Sequence, residues 1–251
     1  MALGDPEVVR REHATVDRLE MRRLDRTGWL RGFEEMSVLL RAVAEIRPHR
    51  VLDAGCGTGG WAAMVAAPEV VGVDSSEAAV EAARARGVDA RLAEIEALPF
   101  DDGTFDVAMC NAVLYHLADP DAGLRELARV LRPGGRFVGG YTIPGRHLAE
   151  LWSTVEARPI PDASKGFNGA TGDSLLERHF ASVERREAKG EVSWATADDL
   201  QAYLDAYSEL LGSLQAPPGP YPFRATRHTC VFVGEKSVVS RIQPGISLCD
   251  D

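Results

Sequence analysis

The sequence predicts a single α/β domain built on a mostly parallel sheet with helices on both faces. From residue 51 to residue 141, short apolar runs alternate with segments of helical periodicity, which is the pattern of a parallel sheet covered by helices. A glycine-rich turn at residues 55–60 follows the first apolar run, where a helix is expected to start. A length of 251 residues with 45% hydrophobic residues is enough for one large core.

Five strands are expected in this region, and turn signals separate them. They are predicted at residues 50–53, 70–73, 88–92, 105–110 and 136–141. The expected helices between them run over residues 59–66, from a cap at Ser75 to about residue 86, and from Asp119-Pro120 to about residue 131. Gly87 and the Pro-Gly-Gly at residues 133–135 are expected to end the second and third of these helices.

The flanking regions are predicted to form additional structure around a core of residues 47–236. Residues 1–46 are interpreted as an N-terminal helical lid, whose second helix carries an apolar stripe from Trp29 to Val43. Residues 144–180 are interpreted as an active-site insertion, and residues 237–251 as a loose C-terminal tail. Two late strands are expected at residues 183–187 and 229–234, with a turn at Gly190 leading into a further strand.

Composition narrows the classes of function. The formal net charge of −10 opposes a nucleic-acid substrate and favours a small molecule. No apolar run approaches the roughly 20 residues of a membrane span, and the N-terminus lacks the apolar stretch of a signal peptide, so we expect a cytoplasmic protein without a membrane partner. The four cysteines lack zinc-site spacing and are expected to be reduced thiols.

The glycine turn is compatible with two kinds of cofactor. Gly55, Gly57 and Gly60 have the G-x-G-x-x-G spacing of dinucleotide-binding proteins. Asp53, however, stands at the end of the preceding strand, and a carboxylate there opposes a pyrophosphate while it suits a cationic ligand. S-adenosylmethionine carries an ammonium and a sulfonium group and no phosphate. Asp74, at the end of the next strand, is expected to bind ribose hydroxyls in either case.

Residues 94–106, with the sequence Glu-Ile-Glu-Ala-Leu-Pro-Phe-Asp-Asp-Gly-Thr-Phe-Asp, make the distinction. This stretch and the glycine turn together resemble the class I S-adenosylmethionine-dependent methyltransferases, in the branch of quinone-biosynthesis and small-molecule tailoring enzymes. The resemblance covers residues 51–141 and includes the Leu-Arg-Pro-Gly-Gly-Arg-Phe at residues 131–137. It implies a Rossmann-like, seven-stranded, mostly parallel sheet with an antiparallel last strand.

The resemblance also implies a set of cofactor-binding residues. These are Asp53, Gly55, Cys56, Gly57, Asp74, Ser75, Glu94, Ile95 and Asn111. In this scheme the glycine turn wraps the methionine part, Asp53 holds its amino end, and Asp74 binds the ribose hydroxyls. Glu94 and the Ile95 backbone flank the adenine, and the carbonyl of Asn111 binds the methionine ammonium.

Methyl transfer from a sulfonium is an in-line displacement that needs no protonated leaving group, so alignment and exclusion of water can supply much of the rate. A base is needed only for a reluctant nucleophile. His116, with Tyr115 beside it, is the candidate for such a role at the exit of the fourth strand; the alternative is that both residues only pack. Candidate residues for the acceptor pocket are Tyr141, His147, Trp152 and Phe167.

The expected activity is therefore methyl transfer from S-adenosylmethionine to an oxygen, nitrogen or carbon of a small molecule. We expect this reaction to belong to secondary metabolism and to release S-adenosylhomocysteine. No metal is expected, because Asp119 and Asp121 fit helix capping better than magnesium binding. Two alternatives stay open at this point: a non-catalytic S-adenosylmethionine-binding module and a nicotinamide-dependent oxidoreductase. Neither the acceptor nor the oligomeric state can be predicted from these residues.

Overall fold

The protein is described by a computed structural model, which covers residues 30–31, 34–155, 167–206, 208 and 212–238. Its strands form one sheet with the spatial order β1-β7-β8-β6-β5-β2-β3-β4. The strands are β1 Leu30–Arg31, β2 Arg50–Ala54, β3 Glu69–Asp74, β4 Asp89–Leu92, β5 Phe105–Met109, β6 Leu131–Thr142, β7 Ser182–Trp194 and β8 Phe223–Glu235.

Strands β2 to β6 are parallel neighbours, whereas β8 runs antiparallel between β6 and β7. This confirms the predicted mostly parallel sheet with an antiparallel last strand. The two-residue strand β1 adds an eighth member at the outer edge, where Leu30 pairs with Val192 and Arg31 with Glu191.

Six α-helices and three short 3₁₀ turns connect or flank the strands in the described part of the chain. The helices are α1 Glu34–Ile46, α2 Glu77–Ala85, α3 Pro120–Val130, α4 Ala149–Thr154, α5 Gly172–Leu176 and α6 Ala197–Asp205. The 3₁₀ turns are Ala62–Met64, Ile95–Ala97 and Leu114–His116. The described helices include none that is long and apolar enough to cross a membrane.

Of the two predicted N-terminal caps, the one at Asp119 is confirmed and the one at Ser75 is not. The side chain of Asp119 accepts hydrogen bonds from the backbone N–H groups of Asp121 and Ala122 at the start of α3. The prediction that Ser75 caps α2 is wrong, because the neighbouring Ser76 supplies the side chain that accepts from Ala79 N at 3.3 Å. Ser75 itself is exposed.

Three other local predictions are corrected. The helix expected over residues 59–66 is only the 3₁₀ turn at Ala62–Met64. Gly190 does not turn the chain: it lies inside β7 and pairs with Arg227, since β7 and β8 pair continuously along thirteen residues. Residues 30–31 are a strand where a helix was expected, so the second N-terminal helix begins at Glu34; Trp29 lies outside the described residues.

Helices cover both faces of the sheet, as predicted. On one face, buried residues of α1 pack on β2, β5, β6 and β8; the set includes Leu39, Ala42, Val43, Val51, Val107, Val138 and Val231. On the other face, α3 packs through Leu124, Leu127 and Val130. Helix α1 is therefore a layer of the core and not part of a lid, whereas residues 1–29 of the predicted lid lie outside the described residues.

Strands β7 and β8 extend beyond the rest of the sheet. Thr142, the last residue of β6, pairs with Thr229, and Thr229 pairs with Ala188. Residues 189–194 and 223–228 therefore continue as an arm past the carboxyl ends of the parallel strands, and β1 pairs with the outer edge of this arm. Helices α4 and α6 pack on this arm around a buried cluster of Leu148, Leu151, Val192, Trp194, Leu200, Tyr203 and Leu204.

Candidate cofactor site

The sheet has a switch point between β2 and β5. These strands are adjacent and parallel, but the chain leaves β2 toward β3 on one side and leaves β5 toward β6 on the other. In open α/β sheets, ligands bind outside the carboxyl ends of the strands at such a point. The glycine turn after β2 and the segment after β5 both lie there, so the topology brings the predicted cofactor residues to one edge.

The glycine turn leaves β2 sharply. The backbone N–H groups of Gly55 and Cys56 both donate to the carbonyl of Val73, at 2.8 and 2.9 Å. Gly55 has φ +75° and Gly57 has φ +51°, conformations that L side chains rarely adopt. A Cβ at Gly55 would collide with the side chain of Val113, whereas a Cβ at Gly57 would have nothing within 4 Å. Gly55 thus allows close packing, and Gly57 borders open space.

Asp74 connects this turn to helix α2. Its Oδ2 accepts a hydrogen bond from Gly57 N at 2.9 Å, and its Oδ1 accepts one from Ser76 N at 2.9 Å. Each carboxylate oxygen has a second lone pair that can accept another donor. The carboxylate is therefore oriented by two backbone groups and keeps capacity for the hydroxyl groups of a bound ligand.

Asp53 and Cys56 lie inside the turn. Asp53 is 2% exposed and is the second-last residue of β2. Burial raises the pKa of the Cys56 thiol strongly, and the nearby carboxylates of Asp53 and Asp74 raise it further. The thiol stays protonated, and Cys56 contributes packing to the turn instead of a nucleophile.

The predicted adenine segment follows β4. The backbone N–H of Ala93 donates to the carbonyl of Asp74 at 3.0 Å, which fixes this segment beside the end of β3. Glu94 is exposed, and the side chain of Ile95 is 4% exposed in the core beneath it. Burial raises the pKa of the Glu96 carboxyl, and the charges of Glu94 and Asp119 raise it further.

Asn111 is held against β6 directly after β5. Its side-chain Oδ1 accepts a hydrogen bond from Gly140 N at 2.9 Å. The next residue, Ala112, has φ +57° and donates its N–H to the Gly140 carbonyl at 3.0 Å. A left-handed alanine is uncommon and is retained only where its surroundings impose it. The chain therefore turns at Asn111-Ala112 in a geometry set by β6.

Tyr115 and His116 lie in the 3₁₀ turn that follows. Their rings are 4.2 Å apart between centroids, and both side chains are half-buried. Tyr115 also contacts Tyr141 edge-to-face, with 6.3 Å between the ring centroids. The structure thus places both candidate catalytic residues at the switch point, beyond the end of β5.

Two of the four expected pocket residues are in the core instead. Tyr141 is 1% exposed and Phe167 is fully buried, and their rings stack edge-to-face at 4.6 Å. Because both are enclosed between β6, β8 and the segment after residue 167, neither presents its surface to an acceptor. Tyr141 is therefore a core aromatic residue that covers the sheet.

The other two expected pocket residues lie near the arm. Trp152 is half-buried against the cluster around Trp194. Burial lowers the pKa of His147 to about 3, and the charge of Arg227 contributes to the shift. His147 is consequently a neutral imidazole at neutral pH. The four pocket candidates do not converge on one cavity.

The two acids weighed for a metal role have other partners. Asp119 caps α3, and Asp121 receives the His179 imidazole at 3.0 Å. The hydrogen bond from His179 lowers the pKa of Asp121, and Arg125 lowers it further. Among the described residues there is no group of three side chains that could hold a metal ion.

This arrangement fits S-adenosylmethionine. The open space in front of Gly57 would be filled by a Cβ, and a ligand can take the same space. Asp74 keeps lone pairs for the hydroxyl groups of a ligand, and the buried carboxyl of Asp53 lies beside the turn, where it suits a cationic ligand better than a pyrophosphate.

Comparisons with known proteins agree with this geometry. Residues 52–139 match the family described as a methyltransferase domain. The chain is 43% identical over 178 residues to a demethylmenaquinone methyltransferase of Clavibacter sepedonicus, covering 66% of this chain and 67% of the relative. It is 34% identical over 194 residues to a protein of Mycolicibacterium smegmatis named as a probable S-adenosylmethionine-dependent methyltransferase, covering 68% and 75% of the two chains.

Other matches cover less or are more distant. Identity to an uncharacterized 37.1 kDa protein in transposon TN4556 of Streptomyces fradiae is 44% over 114 residues, 41% of this chain and only 33% of that protein. The crystal structure of YcgJ from Bacillus subtilis has a TM-score of 0.56 at 19% identity, over 80% of this chain and 97% of that one, which supports the fold alone. On the Clavibacter and Mycolicibacterium matches, which cover at least two thirds of each relative, and on the geometry of the switch point, the chain belongs to the S-adenosylmethionine-dependent methyltransferases.

Proposed function

We propose that the protein methylates an oxygen, nitrogen or carbon of a small molecule of secondary metabolism. The observation that carries the choice of a small acceptor is the charge of the cofactor edge. Carboxylates surround the switch point, namely Asp53, Asp74, Glu94, Glu96 and Asp119, and the whole chain has a formal net charge of −10. Such an edge repels a nucleic-acid backbone. Secondary metabolism is the setting that the resemblance to tailoring enzymes implies.

The cofactor residues keep the roles that the resemblance implies. Asp74 binds the ribose hydroxyls, and Asp53 with the glycine turn and the Asn111 carbonyl binds the methionine end. Glu94 and the backbone at Ile95 flank the adenine. When bound, S-adenosylmethionine supplies an electrophilic methyl group. The side chains and backbone groups of the switch point then contribute by orienting the reactants, an effect worth roughly 7 to 11 kcal/mol in favourable cases.

His116 is the candidate for taking a proton from the acceptor. It lies directly beyond β5, beside the Tyr115 ring at 4.2 Å, which restricts the orientation of the imidazole. An imidazole can accept a proton near neutral pH. An acceptor with an acidic hydroxyl would not need it. Trp152, half-buried beside the arm, is the aromatic surface that we assign to the acceptor side.

Incubation with methyl-labelled S-adenosylmethionine tests the proposal. The acceptor panel contains small molecules with phenol, amine and enol groups, and separately a mixed transfer RNA and an unrelated protein. Asp74→Ala is the matched blank, because it removes the proposed ribose contact. Label in a small molecule that is lost in D74A supports the proposal, whereas label only in the RNA or the protein contradicts it.

A second outcome would change the assigned role. If calorimetry detects S-adenosylmethionine binding but no acceptor class receives label, a binding module without turnover becomes the better description. A cytoplasmic location belongs to the same proposal and is supported by the three described cysteines, which are buried and form no disulfide with one another.

A further inference from the structure

The ladder of backbone hydrogen bonds between β5 and β6 is interrupted at the edge of the sheet where the cofactor is expected. Cys110 N donates to the Val138 carbonyl and Ala112 N donates to the Gly140 carbonyl, each at 3.0 Å, as a parallel ladder requires. A regular ladder would also have Gly140 N donating to the Cys110 carbonyl, between these two bonds. That bond is replaced by two side-chain hydrogen bonds.

Asn111 and Tyr141 supply the replacements. Gly140 N donates to Asn111 Oδ1 at 2.9 Å, and the Cys110 carbonyl accepts from the hydroxyl of Tyr141. Tyr141 can hold this position because its ring is 1% exposed and stacks on Phe167 at 4.6 Å. Burial raises the pKa of the hydroxyl well above its usual value, so the hydroxyl keeps its proton and remains a donor.

The two side-chain hydrogen bonds that replace the backbone bond affect the direction of the next peptide groups. Backbone groups of successive strand residues point to opposite sides, so Cys110 and Ala112 face β6 while Met109 and Asn111 face β2. Strand β2 has already turned away at Cys56, whose N–H bonds to the Val73 carbonyl of β3 instead. The backbone of Asn111 therefore faces the gap between β5 and the glycine turn, where the methionine end of the cofactor is assigned.

We propose that Tyr141 is a positioning residue for the methyl donor. Its hydroxyl fixes the Cys110 carbonyl, and the Asn111 side chain fixes the Gly140 N–H. These two contacts with β6 stabilise the left-handed turn at Ala112. The turn in this conformation directs the Asn111 carbonyl at the cofactor. Tyr141 touches neither reactant. The inference rests on the cofactor site of the proposed function, but it does not depend on which acceptor is methylated.

Tyr141→Phe tests this role, because it removes the hydroxyl and keeps the ring that packs on Phe167. The dissociation constant of S-adenosylmethionine, measured by calorimetry, should rise about tenfold, the change produced by losing one hydrogen bond of ordinary net strength. Tyr221→Phe is the matched control. It removes a tyrosine hydroxyl that donates to the Pro217 carbonyl at 2.7 Å, outside the cofactor site.

A merely structural role would lower the melting temperature of both variants and leave the affinity of both unchanged. Our proposal requires the affinity to fall in Y141F only. Wild-type affinity in folded Y141F overturns it. If D74A also keeps wild-type affinity, the cofactor site itself is misassigned; if D74A loses binding while Y141F keeps it, only the role of Tyr141 is wrong.

If Y141F alone fails to fold, the pair Ala112→Gly and Ala112→Gly/Tyr141→Phe carries the test. Glycine adopts the left-handed conformation at position 112 without strain, so this substitution offsets part of the stability that Y141F loses. The double variant should bind S-adenosylmethionine about tenfold more weakly than A112G alone. Equal affinities in this pair would overturn the positioning role.

Discussion

The Asp74 carboxylate and the Gly57 N–H are joined by a hydrogen bond of 2.9 Å that connects the end of β3 to the glycine turn. A second bond, from Ser76 N at 2.9 Å, connects the same carboxylate to the start of α2. One side chain thus holds both the glycine turn and the start of α2 in place. Its loss should affect both the local fold and the affinity for the cofactor.

Asp74→Ala should raise the dissociation constant of S-adenosylmethionine at least about tenfold, because hydrogen bonds to a charged group contribute roughly 1.5 to 3 kcal/mol. Isothermal titration calorimetry measures the effect. Asp89→Ala is the control: Asp89 is an exposed acid at the start of β4 that pairs with Arg91 at 3.0 Å. Unchanged affinity in a folded D74A would show that the ribose does not bind at the end of β3.

Two glycines of the turn should respond differently to alanine. At Gly55 an added Cβ collides with Val113, so Gly55→Ala should lower the melting temperature clearly. At Gly57 the Cβ enters open space, so the cost is the left-handed conformation alone, about 1 to 2 kcal/mol. Gly57→Ala should instead weaken S-adenosylmethionine binding, because its methyl group occupies space assigned to the ligand.

Thermal melts with and without S-adenosylmethionine distinguish the two variants. The double variant Gly55→Ala/Val113→Ala should recover part of the stability that G55A loses, since the clashing side chain is shortened. Equal binding by G57A and wild type would argue that the cofactor does not approach this part of the turn.

Leu39→Ala tests whether α1 is a layer of the core. Leu39 is fully buried between α1 and the sheet, so its truncation should reduce the free energy of unfolding by about 2 to 5 kcal/mol. Urea denaturation gives this value. Ala44→Ser, at an exposed position of the same helix, should leave stability nearly unchanged. A loss in L39A no larger than in A44S would mean that α1 detaches from the sheet in solution.

The sequence predicted the part of the fold that short-range signals specify. Asp119 before Pro120 marked the start of α3, and Gly87, with φ +84°, marked the end of α2, because capping chemistry depends on a few adjacent residues. Ser75 and Ser76 are equally good caps by type, so their local sequence did not distinguish them. The contact from Ser76 N to Asp74 decides it in the structure.

The predictions for Gly190 and Tyr141 were wrong because pairing between distant strands determines both positions. Gly190 is a turn residue by composition, but thirteen consecutive pairs between β7 and β8 keep it extended. Tyr141 was assigned to a pocket because it ends a strand at the correct edge of the sheet. Its actual partner, the Cys110 carbonyl, lies on the neighbouring strand, and only the register between β5 and β6 brings the two together.

The ion pair between Glu126 and Arg129 on α3 should make stability depend on acidity. The hydrogen bond from Arg129 lowers the pKa of Glu126; burial acts in the opposite direction, and a hydrogen bond from Leu98 N lowers the pKa further. A lowered pKa in the folded state adds stability above the unfolded value of about 4.3, and this contribution is lost as the pH falls through the folded pKa.

Glu126→Gln should therefore reduce the free energy of unfolding at pH 7, and the difference from wild type should shrink progressively below about pH 4.3. Urea titrations at a series of pH values measure it, with Glu81→Gln on the exposed face of α2 as the control. A difference that persists unchanged into acid would assign the effect to lost packing and hydrogen bonds, and not to the charge of Glu126.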